Sequence, residues 1–222
     1  MGWAEFVAAL GVFFLSHAVP VRPPVRPWVV ARLGPTGFTL AYSVLSLAAL
    51  AWLIAAAGRA PSVVLWSWAP WQSYVALVVM LPVCLILALA VGRPNPFSFG
   101  GAHTEHFDPA RPGIAGWMRH PLLVALALWA GTHTVANGDL VHVVLFGTLS
   151  AFAALGGRLI DHRKRQTLGA DWYRLRLAMA AAGRPHPLEL VRDAPFRLAT
   201  GLALYGALIV LHPVVFGVSP IP

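Results

Sequence analysis

Charge is what this chain has least of. Asp, Glu, Lys and Arg together number 24 (8 + 16) of 222 residues, or 11%, against roughly 25% in soluble domains. So few charged side chains cannot cover the surface of a soluble protein of 23.8 kDa. Cysteine is nearly missing as well. Cys84 alone excludes an internal disulfide and a Cys-based metal cluster. Its setting, Leu81-Pro-Val-Cys-Leu-Ile-Leu87, reads as a place for a small buried hydrophobe. There is no His-Glu-x-x-His, no Walker loop and no nucleophile elbow. Disorder is excluded too, because it requires low hydrophobicity.

What is present is apolar. Hydrophobic residues make up 58% of the chain, mean hydropathy is +0.70, and the apolar residues fall in long blocks. These features predict an integral membrane protein: an all-α polytopic transmembrane helical bundle forming one domain over 1–222. Stretches near twenty residues occur at 3–19, 38–57, 73–92, 120–136, 140–157 and 198–217, about six spans. The fourth and fifth are joined by Asn137-Gly138-Asp139, a tight turn signature that predicts an antiparallel hairpin. Pro82 inside the third span is tolerated in a membrane helix. Ser16-His17-Ala18 resembles a signal-peptide cleavage site, but Glu5 precedes the apolar run and the arginines follow it. The first span therefore reads as a retained helix.

A net charge of +8 and a pI near 11.0 would suggest nucleic acid in a soluble protein. Here the distribution gives another reading. Fifteen of the sixteen basic residues fall between spans one and two, between three and four, and after span five; only Arg59 lies elsewhere. Six alternating spans place those three loops on one side. The positive-inside rule makes that side cytoplasmic and puts both termini outside. The expected partner is membrane lipid, not nucleic acid. Of the long loops, 93–119 is broken by Gly and Pro and suits a lid. In 158–197, Leu168, Trp172, Leu175 and Met179 form one stripe with Arg174 opposite, which predicts a cytoplasmic amphipathic helix on the membrane interface.

Nine histidines beside eight acids are the chemical anomaly. Intramembrane ionisable groups are costly and mark function, and two histidines at matched depth on facing helices can hold a haem iron axially. His17 and His120 are matched near the cytoplasmic side. His133 matches His142 or His212 near the outer side. The thirteen residues from His120 to His133 span about 20 Å of helix, so depth favours His120 over His133 as the partner of His17. Arg119 could pair with a haem propionate. The spacing of His103-Thr-Glu-His106 offers a set of zinc ligands. Leu65-Trp-Ser-Trp-Ala-Pro-Trp71 reads as an aromatic belt.

Several of these segments also carry a family resemblance. They are Phe14-Leu-Ser-His17 with Pro20, Arg22 and Pro23; Arg32-Leu-Gly34; Tyr42-Ser43 with Ser46-Leu47; Trp52-Leu-Ile54; Arg59-Ala-Pro61; and Leu65-Trp66. The most specific are Arg119-His-Pro-Leu122, Leu128-Trp129, His133 and Ala136-Asn-Gly-Asp139. Over about residues 1–170 the chain resembles the NnrU family of bacterial membrane proteins. The resemblance implies an inner-membrane protein associated with nitrite and nitric oxide metabolism in denitrification. The family is also similar to the plastid ζ-carotene isomerase, a haem b enzyme acting on a carotenoid. By that similarity His17 and His133 correspond to axial haem ligands, and Ala130 stands where the isomerase has a cysteine. Three functions follow as expectations. One is a haem b protein of nitrogen-oxide metabolism, and another a haem-dependent cis–trans isomerase of a hydrophobic polyene. The third is a non-catalytic assembly factor for a respiratory partner.

Overall fold

In the computed structural model, which describes residues 2–222, eight α-helices account for most of the chain. They are α1 (Gly2–Ala18), α2 (Val25–Arg59), α3 (Pro70–Ala90), α4 (Pro121–Ala136), α5 (Leu140–Leu168), α6 (Ala170–Ala182), α7 (Pro187–Asp193) and α8 (Pro195–Phe216). No strand occurs among the described residues, only an isolated bridge between Val64 and Asp139. The chain divides into two compact units. One holds 1–65 with 139–145, the other 66–138 with 146–222.

In the first unit α1 buries Phe6, Ala9, Phe13 and Ser16, a spacing of 3, 4 and 3 that keeps them on one helix face. That face packs on α2, whose Ala49, Leu53, Ala56 and Ala57 are buried. The pairing is antiparallel: Glu5, early in α1, meets Arg59 at the end of α2, and His17 meets Tyr42. Gly34 (φ 71°, ψ 171°) breaks the helical conformation of α2, and Pro35 starts the second segment. The expected 38–57 span is therefore only the later part of a longer element. Its earlier segment, with Arg26 and Arg32, was expected as loop.

The second unit is a set of antiparallel neighbours. Ser150 donates to the Ala127 carbonyl at 3.0 Å, and Trp129 meets Phe146 edge-on at 5.4 Å. Toward the other end, Gly156 faces Leu123 and Gly157 faces His120. Residue numbers rise on α5 as they fall on α4, which is the expected hairpin. Val83 and Ile86 of α3 pack with Ala125 of α4. On the other side of α3 lies α8. Its Tyr205 donates to the Leu77 carbonyl, and Gly201 lies so close to Leu85 that a side chain there would crowd the backbone. Arg197 donates to the carbonyls of Ala88 and Val91, satisfying acceptors that the end of α3 leaves open.

Four helices are long and apolar enough to cross a membrane: α2, α3, α5 and α8. Helices α1 and α4 are apolar but have 17 and 16 residues. At 1.5 Å per residue α4 reaches about 24 Å, short of a hydrocarbon core about 30 Å thick. The outward faces carry large apolar side chains, Leu47, Val78, Val210 and Val214 among them. Surfaces of that kind suit lipid and not water.

Two local expectations change. The amphipathic stripe is interrupted at Gly169 (φ 55°), so Leu168 ends α5 while Trp172, Leu175 and Met179 belong to α6. Trp172 is buried against Phe97 (6.4 Å) and flanked by Arg165 and Arg176, so this member of the stripe packs within the protein. The Gly/Pro-rich 93–119 segment, expected as a lid, buries Asn95, Pro96, Phe97 and Ser98 and forms two short 3-10 turns.

Gly138 follows the α4 C-cap, where a Cβ would collide with the carbonyl and ring of Trp66. Gly138→Ala should destabilise the protein by about 2 kcal/mol, seen as a lower melting temperature in detergent.

Candidate functional site

The densest polar cluster in the second unit gathers on Asp161. This residue lies in the last turns of α5, a length of helix that extends beyond the expected end at 157. Arg119 donates from Nη2 to Oδ2 at 2.6 Å, and Nε2 of His120 lies 3.1 Å from Oδ1. Nδ1 of His120 lies 3.1 Å from the Ser98 hydroxyl. Asn95 donates to the Arg119 carbonyl and accepts from the Phe97 backbone N–H, which shapes the loop around the cluster. The His120 and Asp161 side chains are 11% and 13% exposed and Arg119 31%, so this is an ion pair largely removed from solvent. Nε of Arg119 is buried without a partner.

The sequence pointed to Arg119 and His120 but not to Asp161 or Ser98. Asp161 has no motif around it and sits in a basic run, and Ser98 is an ordinary loop residue. Both ring nitrogens of His120 are engaged, so ligating iron there would require giving up one hydrogen bond. A propionate at Arg119 would meet a guanidinium already bonded to Asp161.

His17 and His133 have a different local geometry, and the two match. In each, Nδ1 donates to the carbonyl four residues earlier: His17 to Phe13 and His133 to Trp129, both at 2.7 Å. A carbonyl only accepts, so the neutral imidazole carries its proton on Nδ1 and keeps the Nε2 lone pair. A neutral imidazole whose second nitrogen is held by a carbonyl is the usual state of a metal-binding histidine. Phe13 packs on the His17 ring at 4.3 Å. Trp129 and Phe146 each lie 5.1 Å from the His133 ring. Beside His133, Thr132 is 4% exposed and its hydroxyl has no hydrogen-bond partner. Ala130 is fully buried. Either imidazole would be able to hold a haem iron through Nε2.

The other histidines are placed as follows. His212 donates to the Val218 carbonyl at 2.6 Å, and His142 lies 3.3 Å from Asp139. His103 and His106 flank Glu105 on an exposed turn. In the first unit Asp139 caps α5 by accepting from Val141 N–H and ties the preceding segment down through Ser62 and Val63. Partial burial works against its ionised form. The Ser62 hydroxyl, the Val141 and Val63 N–H groups and His142 outweigh that and hold the carboxyl below the usual carboxylate range.

A cavity of about 620 Å³ in the second unit lies between the 93–121 and 182–194 segments. Leu89, Ile114 and Ala194 line its apolar part, and Arg93, His106 and Arg184 its polar part.

Asp161→Asn keeps the shape but removes the charge facing Arg119. The substitution should cost about 2 kcal/mol, below the roughly 3–5 kcal/mol of a fully buried pair because Arg119 is partly solvated. Arg119→Ala made on top of Asp161→Asn should add much less than it does alone, which a double-mutant cycle of melting temperatures would measure.

No curated protein and no solved structure matches the chain. The family model of the NnrU protein matches residues 5–220, nearly the full length. The chain therefore belongs to the NnrU family.

Proposed function

We propose that this NnrU-family protein is a haem b protein of the bacterial inner membrane, acting in nitrite and nitric oxide metabolism. His133 and His17 are its iron ligands in this reading. The observation that carries it is the shared state of the two imidazoles, each fixed by an i−4 carbonyl with Nε2 left to ligate. The unpartnered Thr132 hydroxyl beside His133 adds to it. When bound, haem b supplies a redox-active iron, and the chain's own part is to fix ring orientation and tautomer and exclude water. Trp129, Phe146 and Phe13 do the last of these.

The topology that goes with this reading has about six spans, with α1 and α4 crossing as short ones where the bilayer thins. The three basic loops then face the cytoplasm and both termini lie outside. Arg59, the exception to that asymmetry, is neutralised by Glu5 in the same unit. Isomerisation of a polyene is the alternative on the same haem, and a haem-free assembly factor is the alternative without it.

The test is the absorption spectrum of the full chain purified in detergent after expression with ample haem. The expected result is a Soret band lost in His133→Ala and in His17→Ala and kept in His120→Ala. A colourless wild-type protein would overturn the haem reading in favour of the assembly factor. Loss in His120→Ala with retention in His133→Ala would move the ligand to the Asp161 cluster. Turnover of a cis-polyene by the haem-loaded protein would replace the nitrogen-oxide role with the isomerase.

A further inference from the structure

The 3-10 turn Thr104–His106 has no part in the haem reading, and it brings three donor side chains together. Ligand atoms of His103, Glu105 and His106 all lie within 4.8 Å of one another, and Nδ1 of His103 is already 3.5 Å from Oε1 of Glu105. The two imidazole rings stack at 5.9 Å with planes 16° apart. Zn–N bonds of about 2.0–2.1 Å in a tetrahedron put donors about 3.3 Å apart. All three side chains are exposed, so rotation about their own bonds closes the remaining gap without moving the backbone.

The backbone carries a second sign. His103 sits at φ 51°, the one positive φ outside glycine among the described residues. That left-handed conformation is unfavourable for a residue with a Cβ. Here it begins the turn that His106 N–H closes on the His103 carbonyl and so sets His103 back over Glu105 and His106. Unfavourable backbone conformations of this kind concentrate at ligand-holding positions.

We infer that His103, Glu105 and His106 form a binding site for a divalent transition metal, zinc above all, with one coordination position left open. Two imidazoles and a carboxylate suit zinc, whereas an all-oxygen set would suit magnesium or calcium. Three protein ligands with a free fourth position are the arrangement of sites that hold a water or a substrate oxygen. His106 also lines the 620 Å³ cavity, whose charged lining sets Arg93, Arg111 and Arg184 beside Asp108, Glu189 and Asp193. The fourth position is suited to a water or a substrate oxygen. The site is independent of haem binding: a haem-free protein would leave it standing.

The experiment titrates Zn²⁺ into the full chain, purified in detergent and stripped with a chelator, by calorimetry. Co²⁺ serves as the spectroscopic probe of tetrahedral coordination. The expected result is a zinc equivalent per chain that weakens at least about tenfold in His106→Ala and in Glu105→Gln and disappears in the triple variant. His103→Asn keeps a residue that tolerates the left-handed backbone. It should lose zinc affinity at an unchanged melting temperature, which separates ligand loss from misfolding. Absence of zinc binding in the wild type, or binding of equal affinity in the triple variant, would overturn the site.

Discussion

A chain that exposes apolar surface over most of its length must satisfy its few polar groups internally, and the acids are where this is done. Every Asp and Glu but Asp193 accepts a hydrogen bond or ion pair among the described residues. Several of these bonds join elements distant in sequence. Asp161 joins the start of α4 to the late turns of α5, Asp139 joins the start of α5 to the segment after α2, and Glu5 joins the ends of α1 and α2. Arg197 does the same for α8 and α3 with carbonyls instead of a carboxylate. In a low-dielectric setting each such bond is strengthened, and leaving its partner alone is correspondingly costly.

Histidine use follows the same economy and divides the residues by chemistry. His120 has both nitrogens engaged, one on Asp161 and the other on Ser98. His17 and His133 spend only Nδ1, on their own helix, and keep a basic nitrogen. His120 sits at a depth that suits a ligand, and its two nitrogens already have hydrogen-bond partners.

Much of the helical architecture could be read from the residues. The α4–α5 hairpin followed from Asn137-Gly138-Asp139, and the structure adds what each residue does. Asn137 caps α4 through the His133 carbonyl, Gly138 passes close to Trp66, and Asp139 caps α5. The ends of the long helices were less legible. Helix α5 runs on to Leu168 through Arg158, Asp161 and Arg163 because polarity marks where a membrane could end, not where a helix must. Trp172, Leu175 and Met179 share one helix as expected, whereas Leu168 ends the helix before it. Trp172 covers Phe97, a contact that periodicity cannot foresee.

Composition and patterning by themselves determined that this is an apolar, all-helical, membrane-type chain with all its basic residues but Arg59 gathered in three segments. Burial of backbone hydrogen bonds and avoidance of charge in lipid leave little other choice. The residues carrying the family resemblance were likewise legible, since identity and spacing are properties of sequence. Tertiary structure alone decided that Nδ1 of His17 and of His133 is held by a carbonyl, that Asp161 and Ser98 complete the cluster around Arg119 and His120, and that Glu105 lies beside His103 on an exposed turn. Those outcomes depend on side-chain directions and, for the Asp161 cluster, on approach between segments tens of residues apart, which no local pattern encodes.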